Sequence, residues 1–251
     1  VTSQDNEERS AFSRPGFVVA AVVVALIVVA GVVLGIVNAT RDDPEPDASP
    51  TSAPSTAPSA APSAEPSADA ETASVCGLPG EERSGSLNTA PETAWEYQDV
   101  MAYPTSPAFG PAETSPDGVR FCFQHSVEGA LFAAGNAVVQ ASSPETSAAW
   151  IEYFLSADAP NREELVSDVS SGASSDTRVG IAGFRVLAYD GDTARIDMAL
   201  QAVGGGDTVY GSAVYDLVWE AGDWKLLPTD ASNPLRIAQI PDAAGYVAWE
   251  E

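Results

Sequence analysis

The sequence predicts an α+β domain carried behind a transmembrane helix and a flexible stalk. Three observations carry that prediction: an uncharged apolar run from Phe17 to Val37, a Pro/Ser/Ala tract over 44–68, and a change of hydrophobic period from helical to two near residue 179. The resulting layout has a cytoplasmic tail over 1–15, a transmembrane helix over 16–38 and a disordered Pro/Ser/Ala-rich stalk over 39–74. An irregular first part of an ectodomain follows over 75–118, then its main body over 119–251.

The apolar run holds 21 residues without a charge. At about 1.5 Å per residue it spans about 30 Å, the thickness of a bilayer's hydrocarbon core. Val37-Asn38-Ala39 offers small residues of the kind a signal peptidase cleaves after, but the run exceeds the roughly 7–15 residues of a secretory signal, which favours a retained anchor. Arg9 and Arg14 precede the run, whereas Arg41 alone follows it, among Asp42, Asp43, Glu45 and Asp47. The positive-inside rule then places the N-terminus in the cytoplasm and the C-terminal domain outside the cell membrane. Gly31 and Gly35 form a G-x-x-x-G pair, which permits close approach of two helices and hence a homo-oligomer; the plainer reading is lipid-facing filler.

The tract PEPDASPTSAPSTAPSAAPSAEPSA contains too few large apolar groups to offset the entropy of ordering it. Its recurring prolines favour extended conformations, giving a reach on the order of 100 Å at about 3.1 Å per residue. Its Ser and Thr residues are candidates for O-glycosylation, with an unmodified spacer as the plainer alternative.

Cys76 and Cys122 are the two cysteines of the chain. An even count in an extracytoplasmic domain predicts a disulfide between them. After the extended run GVRFCFQH, Ser126 stands as the N-cap of a helix with Val127, Ala130, Leu131, Ala134 and Val138 on one face. Ser143-Pro144-Glu145 opens a second helix striped by Trp150, Tyr153 and Phe154. Asn161 with Glu164 begins a third, which Gly172 ends. Strands are predicted at 181–190, 193–203, 208–221 and 224–229, separated by short glycine-bearing breaks that favour hairpins. Helices followed by a meander make an α+β domain, with about three helices packed on a curved four-stranded antiparallel sheet.

This order of elements resembles the NTF2-like fold, a bent sheet closing over helices, across about residues 119–229. With the anchor, the stalk and the stretches CFQHSVEGALFAAGNAVVQ and GYVAWEE, the chain resembles single-pass membrane proteins of actinobacterial mobile elements, similar in layout to TcpC-type conjugation proteins. The sequence departs from the terminal G-Y/F-V-P-W pattern of that group at Ala248, where proline is usual.

The formal charge of −25 repels phosphate backbones, which argues against direct nucleic-acid binding. Lys225, the single lysine, sits in GDWKLL and not in a phosphate-binding loop. His125 is the single histidine and reads as structural; no metal or cofactor set accompanies it. Asp190-Gly191-Asp192 lacks the later acidic positions of a calcium loop and reads as a hairpin turn. Tyr189, Asp197, Tyr210, Tyr215 and Asp216 are the polar residues that could point into a cone, although alternation along the strands shows no inward polar cluster.

The expectation is therefore a non-enzymatic, membrane-anchored assembly or scaffold component of an envelope-spanning complex, in the setting of conjugative transfer that the resemblance implies. Its partners would be the lipid bilayer and other envelope subunits. The alternative is an extracytoplasmic accessory protein that binds a lipid or other ligand in its cone.

Overall fold

The Gly/Ala-rich segment after Ser126 becomes a helix enclosed on all sides. In a computed structural model that describes residues 74–169, 178–204, 207–230 and 233–251, helix α1 runs Val127–Ser142, and the Ser126 side chain accepts the Gly129 amide at 3.0 Å. Its small side chains explain the enclosure, because backbones can approach a Gly/Ala surface closely. A Cβ on Gly135 would lie 2.7 Å from Pro104 Cγ and 3.2 Å from Trp249 Cζ3, so two separate parts of the chain meet the helix there. Helix α2 is Ser147–Phe154 and α3 is Arg162–Val169. Pro144 lies in the turn before α2, whose N-cap is Thr146, so the helix starts three residues later than the Ser-Pro-Glu pattern suggests.

Ten strands accompany these helices among the described residues. The hairpin β1 (Ala94–Gln98) and β2 (Met101–Thr105) forms a sheet of its own, as do β3 (Glu113–Thr114) and β4 (Arg120–Phe121). The main sheet is antiparallel and six-stranded: β5 (Arg178–Tyr189), β6 (Thr193–Gly204), β7 (Asp207–Glu220), β8 (Asp223–Leu226), β9 (Arg236–Ile240) and β10 (Val247–Ala248). Strands β8 and β9 lie end to end along one edge of β7, pairing with 217–220 and 210–214 respectively. The chain then returns to the opposite edge, where β10 pairs with Gly183 and Phe184 of β5.

The core lies between α1 and the inner face of this sheet. Phe132, Phe184 and Trp249 meet edge-to-face with ring centroids 5.4–5.6 Å apart, and Trp95 tilts against Trp249 from the β1 strand. Alternation places Phe184, Ile196, Met198, Ala213, Tyr215 and Leu217 in this interior.

The α+β class and its four-stranded meander are corrected by these observations. The domain is mostly β-sheet, with about 19% helix, and the NTF2-like layout is set aside with the class. Four strands fall in the segment read as irregular, 75–118, and at its boundary: β1 and β2 have five residues each and β3 and β4 two. Such lengths are too short for alternation to register, and Pro104 within β2 reads as a strand breaker. Strands β9 and β10 follow Pro234 and Pro241 and are equally brief. The predicted membrane helix over 16–38, with Gly31 and Gly35, lies outside the described residues, as do the tail and nearly all of the stalk. Among the described residues no helix is long and apolar enough to cross a membrane.

Candidate functional site

The residues that carry chemistry gather in three polar clusters, each of which joins distant parts of the chain. The first surrounds the disulfide. Cys76 and Cys122 are bonded, with Cα atoms 5.9 Å apart, and this ties the exposed segment at 75–86 to the turn before α1. Asp223, at the start of β8, accepts the Cys122 amide at 2.8 Å, the Phe123 amide at 3.0 Å and the Tyr153 hydroxyl at 2.7 Å. Burial raises the Asp223 carboxyl above the usual range, and these three donors work against that rise. Lys225, two residues on, donates to the Tyr153 carbonyl at 2.9 Å with its ammonium over the Tyr153 ring. Burial lowers Lys225 to about 8.

His125 stands beside this cluster. Its ring stacks on Trp219 at 4.1 Å and meets the edge of Trp224, while Nε2 lies 2.7 Å from the Gly191 carbonyl. Glu81 Oε1 is 3.8 Å from Nδ1, and Asp192 Oδ1 is 3.5 Å from Nε2. Arg83 bonds to both acids. The imidazole thereby links the segment at 81–83 to the β5–β6 turn, a wedge between elements.

The second cluster lies on the outer face of the sheet. Asp197 is 2% exposed although Ile196 and Met198 on either side of it face the core. It pairs with Arg185 and accepts Ser212 Oγ at 2.6 Å and the Tyr246 hydroxyl at 2.9 Å. Tyr246, whose ring lies 4.0 Å below the Arg185 guanidinium, belongs to the segment joining β9 to β10. These bonds fasten that segment across the sheet before Trp249 enters the core.

The third cluster holds the β1–β2 hairpin to α1. Arg120 Nε donates to Asn136 Oδ1 at 2.7 Å and Nη1 to Gln98 Oε1 at 2.6 Å, with its guanidinium 3.8 Å from the centre of the Tyr103 ring. Its contacts are neutral amides and an aromatic face, and burial lowers it to about 10.

The residues considered for an inward-facing acid–base site do not converge. Tyr215 faces the core, where burial raises its hydroxyl. Asp197 and Asp216 lie on the opposite face, the latter held by Arg195 at 2.5 Å and Arg236 at 3.0 Å. Tyr189 donates to the Glu82 carbonyl, and Tyr210 pairs with Ile240 along β7. Asp190 accepts the Thr193 amide and hydroxyl across the β5–β6 turn. Among the described residues no three His, Cys, Asp or Glu side chains are grouped to hold a metal ion.

A different feature was missed in the sequence. At the tip of the β1–β2 hairpin, Tyr97 and Val100 are 59% and 62% exposed, with Glu96 and Asp99 also exposed beside them. Asp99 has a positive φ of 54°, which forms the tight turn. The only signal for it was the string YQDVMAY, two aromatics around an Asp-bearing turn.

The model of one protein family, a domain of unknown function designated DUF8175, matches residues 42–248. The chain belongs to that DUF8175 family. The match takes in all three clusters and the hairpin, and it reaches back through the Pro/Ser/Ala tract. No curated protein and no solved structure matches the chain.

Proposed function

We propose that this DUF8175 protein is a non-enzymatic assembly component of an envelope complex. The apolar run at 17–37 tethers it at the cell membrane, and the domain reaches other subunits across the stalk. The observation that carries this reading is the β1–β2 hairpin, which forms a sheet of its own and exposes the ring of Tyr97, whose hydroxyl donates to Glu251, and Val100 with Glu96 and Asp99 at its tip. Exposed aromatic and aliphatic groups beside acids fit a protein surface with an apolar cleft edged by Lys or Arg. The strong net negative charge favours the same kind of partner and disfavours nucleic acid.

The ionisable groups support the non-enzymatic reading, because Asp223, Asp197, Lys225 and Arg120 each hold two or more elements together through their hydrogen bonds. The interior between α1 and the sheet is occupied by Phe132, Phe184 and Trp249, which supports assembly over ligand carriage. The resemblance of the stretches CFQHSVEGALFAAGNAVVQ and GYVAWEE to those of mobile-element membrane proteins favours a transfer channel as the setting.

Co-purification of the tagged full chain from its own membranes in mild detergent tests the reading. Stoichiometric envelope subunits are expected with the native chain and lost with the double substitution Tyr97→Ser, Val100→Asp. Recovery of the same set with both chains, or of a single lipid with no protein, would overturn it.

A further inference from the structure

The Cys76–Cys122 bond joins two cysteines in unlike surroundings. Cys122 is 0% exposed, its amide bonded to Asp223, whereas Cys76 lies in an exposed stretch. Of residues 74–86, Ser74 alone is buried and Leu78 alone is half-buried. Besides the disulfide, this segment is held by the Val75 amide on the Gly222 carbonyl, the Glu82 amide on the His125 carbonyl, Gln124 Nε2 on the Pro79 carbonyl, Glu81 Oε1 at 3.8 Å from His125 Nδ1, and exposed bonds of Arg83 to Asp192 and Tyr189 to the Glu82 carbonyl. A segment with so little buried apolar surface opens at low cost once its covalent link is gone. The rest of the domain has its own fastenings, since Asp223 grips the backbone of Cys122 and Phe123 whether or not the sulfur is bonded.

We propose that Cys76 is a thiol-exchange site and that opening this disulfide releases residues 74–86 as a further length of tether, while α1 and the main sheet stay folded. A small-molecule thiolate attacks the sulfur of Cys76, the exposed residue of the pair. A new S–S bond forms there as the Cys76–Cys122 bond breaks, and the electron pair departs on the Cys122 sulfur. Ser74 Oγ, 2.9 Å from that sulfur, is placed to donate a hydrogen bond to the departing thiolate. A second thiolate then attacks the mixed disulfide, leaving Cys76 as a thiolate and the reductant as its own disulfide; both cysteine thiolates take protons from solvent. The thiol is oxidised and the protein disulfide is reduced by two electrons.

The test treats the full chain with glutathione under native conditions, maps adducts by mass spectrometry, and follows amide hydrogen exchange. Glutathione is expected on Cys76 and not on Cys122. After full reduction the Glu82 amide should lose its protection, whereas amides of α1 and β6, which speed up only with the lower global stability, should stay protected. Adducts on Cys122, resistance of the disulfide to native thiol, an unchanged Glu82 amide, or loss of protection across α1 and β6 would each overturn the proposal. Ser74→Ala provides a second reading: it should slow adduct formation while leaving the exchange pattern of the oxidised domain in place.

Discussion

The Asp223 carboxylate accepts the backbone amides of both Cys122 and Phe123, at 2.8 and 3.0 Å. One side chain from β8 thus fixes the turn that carries the disulfide and leads into α1. Cys122 has a positive φ of 67°, a conformation costly for a residue with a Cβ, and the paired amide bonds hold it there.

Replacing Asp223 with Ala would remove an acceptor from the buried amides of Cys122, Phe123 and Trp224 and from the Tyr153 hydroxyl. A loss of about 3 kcal/mol is expected, since each unsatisfied buried donor costs about 1–3 kcal/mol. Urea denaturation of the oxidised protein measures it.

Removing the disulfide acts through the unfolded chain instead. The bond closes a separation of 46 residues, for which the chain-entropy relation gives about 4 kcal/mol. The double substitution Cys76→Ser, Cys122→Ser is expected to lower stability by roughly that amount, read from the urea midpoint at unchanged slope.

Lys225 gives the domain a pH dependence of known sign. Its folded value near 8 lies below its ordinary 10.5, so unfolding takes up a proton between those values. Stability therefore rises as pH increases above about 8. The rise is opposed near pH 10, where half-buried Tyr153 and Tyr189 and buried Tyr215, all raised by desolvation, would ionise more readily on unfolding. Denaturation at pH 7.5 and 9.5 should show greater stability at the higher pH, and Lys225→Met should flatten the difference.

Gly183 permits the return strand to seat. A Cβ there would fall 2.5 Å from the Val247 carbonyl oxygen. Gly183→Ala is expected to cost about 1–3 kcal/mol by overpacking and to expose the segment after β9 to protease, which intact-mass analysis of a limited digest would detect.

The sequence announces features that have a local chemical cause. Ser126 caps α1 because its hydroxyl meets the Gly129 amide, and Asp190 closes the β5–β6 turn through bonds to Thr193; both are read within four residues. An even cysteine count, with the extracytoplasmic setting expected from the sequence, predicted the Cys76–Cys122 pairing. The class itself was misread because it depends on pairings between distant segments. β10 has only two residues, and its place is set by Gly183 making room and by Trp249 filling the space between Phe132 and Phe184. Trp249 in GYVAWEE gave no indication of this, and nothing in the sequence tied Asp197 to Arg185 and Tyr246, which hold it on the outer face.

The central claim is that the β1–β2 hairpin docks onto another subunit. Placing a photo-crosslinking residue at Val100 of the full chain and irradiating intact cells tests it most directly. The account predicts discrete, high-mass adducts with one or a few envelope proteins, absent when the same residue is placed at the exposed position Glu152 on α2. Equal labelling at both positions, or adducts with lipid alone, would contradict it.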